Sequence, residues 1–353
     1  MIMSIPEKMR AATIVDTRKT EIREYRVPKP KPGEVLIRVE RCLICTLEMR
    51  IFKGESSMKL PFIPGHEASG VIEYIPDATR TNFEVGDRVV FKTLEECGHC
   101  TYCYQGQSNQ CIGEKEGRNF DGTGAIGGFA RYISLKVNSI FPVGNSVSLE
   151  EAAFAEPLAC CVHSIKRSGI ELGDTVVVIG AGIMGQLHAL LARIRGARVI
   201  VVEPDEKRRG LALEMGAHEG IDPKNEDAPA RVKELTHGEG AEVVFDTVTI
   251  PEVAEEAQQM IRKMGRLILY GSFHPNKPID VDPNGVHYGE YVITGSYSPA
   301  VEDFFHASRL LRYGLVDVKP FISKSYPISR IHDALEAALS PDTYRVAVDL
   351  SKS

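Results

Sequence analysis

Between residues 10 and about 155 the apolar positions fall in short runs broken by Gly and Pro. Examples are EVLIRVE (34–40), GVIEYI (70–75), GDRVVF (86–91) and GGFARYISL (127–135). With no long amphipathic helix between them, such runs predict a β-rich, barrel-like domain. Near residue 172 the pattern changes. DTVVVIGAGIMGQLHALLARIRGARVIVVEPDEKRRGLALEMGA (174–217) reads as an apolar strand, a glycine turn, a helix, a second apolar strand and a second helix. Strands that are apolar at every position are covered on both faces, so the alternation predicts a parallel sheet between helices. It continues through AEVVFDTV (241–248), a helix over 253–264, GRLILYG (265–271) and YVITGS (291–296). Beyond about residue 300, a helical segment (301–314) precedes YRVAVDL (344–350), a last strand that belongs clearly to neither region. The chain has 353 residues and no internal repeat, which suits two domains of ordinary size.

Charge narrows the range of partners. With 42 Lys and Arg against 48 Asp and Glu, the net charge is −6, which disfavours nucleic acid and anionic membrane as partners. No stretch reaches the ~18 apolar residues of a membrane span. MIMSIPEKMRAATIV carries charges where a signal peptide needs an apolar core, so the expected compartment is the cytoplasm. There the eight cysteines are expected as metal ligands, catalytic groups or core residues rather than disulfides.

Three groups of residues carry chemistry. Gly180-Ala181-Gly182-Ile183-Met184-Gly185 is G-x-G-x-x-G, set between an apolar strand and a helix. In that context Gly180 makes the tight turn, Gly182 admits a pyrophosphate to the backbone, and Gly185 packs the helix on the sheet. Glu203 ends the next strand, where an acid binds a ribose 2′-hydroxyl and repels a 2′-phosphate, so NAD is expected over NADP. Lys207 and Arg208 follow closely and soften that preference. Cys97, Cys100, Cys103 and Cys111 are spaced to close a tetrahedron of thiolates around Zn²⁺ with no position left for solvent, a structural site. His99, between them, is read as a loop residue.

The third group is scattered. His66 and Glu67 are adjacent in FIPGHEASGV (62–71); Cys45 offers a thiolate, and Glu156 is a carboxylate in the otherwise apolar AAFAEPLACC. An ionised acid there is costly unless paired or metal-bound. Together they make an S/N/O set suited to zinc with an exchangeable position. Three anionic ligands over-compensate a divalent ion, so Glu67 or Glu156 is expected to give way to water or to hold that water. Cys42, Cys160, Cys161 and His163 are read as core, and His274, His287 and His306 as surface or core.

In this order, GHE, the four-cysteine loop, AEPLA and the glycine turn resemble the zinc-dependent medium-chain dehydrogenases, most of all their sorbitol (polyol) and threonine dehydrogenase branch. The likeness covers nearly the whole chain. It implies an α/β protein: a GroES-like β-rich catalytic domain (1–160), a Rossmann domain with a doubly wound parallel sheet (161–298), and a return to the catalytic domain (299–353). It implies two zinc ions per chain and NAD. The catalytic zinc would be held by Cys45, His66, Glu67 and Glu156, with Glu48 orienting His66. Ile183, Glu203 and Arg208 would touch the adenosine and pyrophosphate portion, and Tyr270, Gly271, Ser272 and Tyr297 the nicotinamide end. The reaction implied is hydride transfer from a secondary alcohol, a polyol or cyclic polyol, to nicotinamide, with zinc as Lewis acid. An amino alcohol such as threonine is the alternative substrate, and a non-catalytic zinc- and nucleotide-binding protein the alternative class. A homodimer or homotetramer is expected.

Two positions depart from the family. Leu47 stands where a Ser or Thr hydroxyl passes the substrate proton to solvent; Thr46 is adjacent, on a segment read as extended. Ser298 stands where polyol dehydrogenases often carry a substrate-holding arginine.

Overall fold

The computed structural model describes residues 5–113 and 117–352. The chain divides into two compact units, residues 1–159 with 299–353, and residues 160–298.

The first unit is built on two sheets. A five-stranded sheet runs in the order Lys19–Arg26, Lys8–Asp16, Phe62–Ile63, Thr123–Ala125, Arg118–Phe120. The second sheet is centred on the long strand Glu34–Ile44. That strand is flanked by Glu67–Tyr74 and Tyr132–Lys136, and towards its end by Arg345–Asp349. Apolar side chains from both sheets and from the helix and turns between them, among them Ile14, Leu36, Ile37, Phe52, Ile63 and Phe129, form one core. The strand that was assignable to neither region thus has a place. Arg345–Asp349 pairs antiparallel with Glu34–Ile44 and parallel with Ile322–Pro327. The strand register puts Glu67 opposite Leu43 on one side and Val346 opposite Ile44 on the other. This is how residues 67 and 345 come to share a site.

The second unit is a six-stranded, all-parallel sheet. Counting its own strands from the first, the order is 3-2-1-4-5-6. The strands Thr175–Ile179 and Ala241–Asp246 are almost wholly buried, as a sheet covered on both faces requires. They are neighbours where the order reverses, with Ile179 opposite Asp246. Their carboxyl ends are where such sheets bind ligands. One helix differs from expectation. The α-helix there spans only Pro251–Ala257, a 3-10 turn follows over Gln258–Met260, and the strand Ile261–Leu269 begins within the segment 253–264. Met264 takes a left-handed φ of 61° there, and the pairing slips between Ala241 and Val243, a bulge that periodicity does not reveal. Among the described residues no helix is long and apolar enough to cross a membrane.

Candidate functional site: two metal-ligand clusters and a glycine cradle

Cys45 is not on an extended segment that runs on through Thr46. It caps the helix Thr46–Phe52, and Glu48 is the third residue of that helix. Helix amides here have no intrahelical partner, so an acid in this turn is well placed. The Glu48 carboxylate is fully buried and takes three donors: the Cys45 N–H at 3.0 Å, the Gly65 N–H at 3.1 Å and His66 Nδ1 at 2.8 Å. Gly65 has a φ of 98° and lies against the backbone of Gly128 and Phe129, where a Cβ would sit 2.6 Å from the Phe129 nitrogen, so the turn that presents this N–H requires glycine. Because Nδ1 donates to Glu48, Nε2 is the nitrogen left to bind a metal. Burial pulls the His66 pKa down, but the Glu48 charge and the bonds to Cys45 and Glu48 raise it well above the usual range. For Glu48, burial opposes and His66 outweighs it, so its pKa falls below that of an ordinary glutamate.

One ligand atom each from Cys45, His66 and Glu67 lies within 4.8 Å of the others. Glu156, near the start of the helix Ala155–Ser168, stands outside that set, yet its charge acts on both His66 and Arg345. Arg345 is the residue that sequence reasoning missed. Its guanidinium grips Glu67 with two bonds, Nε to Oε2 at 2.9 Å and Nη2 to Oε1 at 2.8 Å, and Nη2 lies 3.6 Å from the Cys45 sulfur. Both partners are buried. A signal was present: an arginine inside an apolar run, the same anomaly that marked Glu156.

The remaining nearby positions are less tightly engaged. Thr46 is exposed at the first helical position, and Leu47 packs against the core. Cys42 is fully buried, its thiol directed at the Leu43 carbonyl, as a core cysteine.

In the loop 97–111 the four sulfurs of Cys97, Cys100, Cys103 and Cys111 also lie within 4.8 Å of one another. Cys100 and Cys111 sulfurs are 4.0 Å apart, close to the roughly 3.8 Å expected of thiolates arranged tetrahedrally at ~2.3 Å from an ion. Backbone N–H groups of Cys103 and Ile112 lower the Cys100 pKa to about 6, whereas Cys103, desolvated among the other three thiols, is pushed up to about 12. Four thiolates so close cannot all ionise without a cation, which fits Zn²⁺. His99 is exposed and bonds the Cys97 carbonyl at 2.9 Å.

In the second unit the glycine turn makes the cradle a phosphate needs. Gly180 has a φ of 90°, and at Gly185 a Cβ would meet the Gly180 carbonyl at 1.9 Å. At Gly182, which caps the helix Ile183–Ile194, the nearest atom to such a Cβ is Arg208 Nη1 at 3.9 Å. The space over this helix start is open, and a guanidinium borders it. Glu203 accepts from the Ala181 N–H at 2.6 Å and the Asp205 N–H at 2.9 Å. Gln186, also unforeseen, ties the Arg208 carbonyl to the same turn at 2.9 Å. At the reversal of strand order Asp246 has one carboxylate oxygen, Oδ2, that is buried without a partner among the described residues, and burial raises its pKa. Ile183 is buried and Met184 half-buried on the helix; Tyr270 and Gly271 are half-buried, Ser272 and Tyr297 exposed. Of the thiols read as core, Cys161 is fully buried, but Cys160 is only half-buried, as is His163.

Two family models match these two regions. Residues 31–145 match the alcohol dehydrogenase GroES-like domain, and residues 184–312 the zinc-binding dehydrogenase domain. The chain is 33% identical to the D-arabitol-phosphate dehydrogenase of Enterococcus avium over 92% of both chains. It belongs to the zinc-dependent medium-chain dehydrogenases. This dehydrogenase is also 34% identical to the L-threonine 3-dehydrogenase of Pyrococcus horikoshii, over 92% of this chain and 94% of that one. Among solved structures it matches one described as a provisional zinc-binding dehydrogenase from Sinorhizobium meliloti, bound to NADP. There the TM-score is 0.87 at 26% identity, covering 98% of this chain and 100% of the other. The chain is therefore an oxidoreductase, a zinc-dependent alcohol dehydrogenase with a nicotinamide cofactor.

Proposed function

We propose that Cys45, His66 and Glu156 hold the catalytic zinc at rest, while Arg345 keeps Glu67 beside it but engaged. The Glu67–Arg345 pair carries this reading. With Glu67 neutralised by a guanidinium, the ion faces two anionic ligands instead of three, which balances a divalent charge. When bound, the zinc supplies Lewis acidity towards the substrate oxygen. Glu48 fixes the His66 ring so that Nε2 points inward. Leu47 cannot relay a proton and Thr46 faces solvent, so we assign acceptance of the substrate proton to Glu156. Glu48 is already engaged by three donors, and Glu67 is held in an ion pair by the Arg345 guanidinium. The four cysteines 97, 100, 103 and 111 hold a second, structural zinc.

The cofactor reading rests on the open cradle at Gly182 and on Glu203. Ile183, Met184 and Arg208 border the phosphates, and Tyr270, Gly271, Ser272 and Tyr297 the nicotinamide end. We assign NAD as the preferred cofactor, because the Glu203 carboxylate stands against the glycine turn, where an acid favours a ribose 2′-hydroxyl over a 2′-phosphate.

The substrate is a secondary alcohol of the polyol class, free or phosphorylated, in keeping with the arabitol-phosphate relative. The threonine relative at 34% identity supports an amino alcohol as the second reading. A panel of sugar alcohols, their phosphates, inositols, simple secondary alcohols and L-threonine, read by NADH absorbance, tests both. Turnover of L-threonine with silence on every polyol would reverse the order. A cytoplasmic homodimer or homotetramer is the expected working form, to be checked by light scattering.

A further inference from the structure

His188 is fully buried in the helix that starts at the glycine turn. Its Nδ1 lies 2.7 Å from the Met184 carbonyl, an acceptor, so Nδ1 carries the hydrogen and donates it. The Cys161 sulfur is 3.4 Å from the same nitrogen. Nε2, the bare acceptor of this tautomer, is buried with no partner among the described residues. The ring packs at 4.7 Å from Phe245 and edge-on at 4.5 Å from Tyr270. Burial holds its pKa down to about 4, so the ring is neutral at working pH. A leucine of similar volume would fill this space without stranding a nitrogen. What the histidine does that a leucine cannot is join two segments. It grips the backbone of the first turn beside the phosphate cradle, and it presses on the tyrosine at the end of the strand Ile261–Leu269.

We propose that His188 is a positioning residue for the nicotinamide cofactor, locking Met184 and Tyr270 into one arrangement. This rests on the cofactor reading above, in which Tyr270 borders the nicotinamide end and the glycine turn the phosphates. His188 does not touch the cofactor; it acts through the two residues it holds. A shift of either would misplace the ring that accepts hydride while leaving the alcohol site alone.

The test compares the full-length, zinc-loaded wild type with His188→Leu. The dissociation constant for NADH is measured by nucleotide fluorescence, KM by steady-state kinetics, and the thermal midpoint by circular dichroism. His188→Leu is expected to bind NADH at least about fivefold more weakly and to raise KM for NAD to match, with KM for the alcohol unchanged. Its thermal midpoint is expected at or above that of the wild type, because the unpaired nitrogen is gone. A folded variant whose NADH affinity and KM for NAD stay within about twofold of wild type overturns the proposal. If His188→Leu does not fold, two further variants decide. His188→Phe keeps a ring against Tyr270, and His188→Asn keeps an N–H for Met184. The proposal expects both to bind NADH more weakly than the wild type, since each keeps one of the two contacts and loses the other, and wild-type affinity in both overturns it. A wild type that binds no NADH sinks the cofactor reading itself, whereas binding that is indifferent to residue 188 sinks only this role.

Discussion

A buried carboxylate persists only where donors or cations surround it, and the acids near His66 satisfy this in different ways. Glu48 is held by two amides and an imidazole, and Glu67 by a guanidinium. Removing Arg345 would leave Glu67 as an unpaired buried charge. Arg345→Met is therefore expected to destabilise the first unit by about 3–5 kcal/mol. Arg345→Met with Glu67→Gln should recover part of that, and a thermal-melt double-mutant cycle measures the coupling. A melt unchanged by Arg345→Met would mean that the pair is not formed. The His66–Glu48 pair sets a pH dependence. A histidine whose folded pKa is raised contributes stability fully below the ordinary value of about 6.5, and loses it as pH rises through the raised value. Zinc needs the unprotonated ring, so over that same rise its affinity in the metal-free protein climbs. Glu48→Gln should shift the break to lower pH and weaken zinc binding about 10–100-fold, read by chelator competition. A break that stays in place would leave Glu48 no part in it. At this scale the adjacency of His66 and Glu67 marked a place in the sequence that the structure brings together with Cys45. Arg345 lies 278 residues from Glu67, and nothing local ties the two together.

Elements were readable where a local rule forces them. The apolar strand, glycine turn and helix at 174–194 follow from backbone sterics alone, and the structure has them there. The helix start at Thr46 was not readable, because its cap is a cysteine and its turn is held by a glutamate bonded to a distant glycine. The early strand at Ile261 was hidden by a bulge. The glycine turn yields a test of the element as a unit. Gly182 has an ordinary φ of −64°, and an added methyl group meets only the tip of Arg208. Gly182→Ala should thus leave the thermal midpoint within about a degree or two of wild type. It should nevertheless weaken NADH binding by about tenfold or more, since the methyl group occupies the space a pyrophosphate needs. Unchanged NADH affinity would place the phosphates elsewhere.

At the scale of the molecule, periodicity separated a β-rich region from a parallel sheet because each imposes its own repeat along the chain. It did not reveal that Arg345–Asp349 lies against Glu34–Ile44, since strand pairing across three hundred residues depends on tertiary register. That register is also what completes the site, for it delivers Arg345 to Glu67. Two clusters of metal ligands then sit in one unit with different chemistry: four thiols together, and a mixed set of thiol, imidazole and carboxylate. They should separate on mutation. The wild type is expected to carry two zinc ions per chain by atomic emission. His66→Ala should retain one, lose turnover, and still bind NADH, whose cradle is built from the other unit. Cys100→Ala should also retain one, but lose the ion that pins the loop 97–111, and its thermal midpoint should fall. Chelator treatment of the wild type should take both activity and loop stability, and zinc should restore them together. Two ions remaining in His66→Ala would mean that the second ion lies outside the Cys45–His66–Glu156 set. Activity surviving with a single ion would mean that hydride transfer here does not depend on that set.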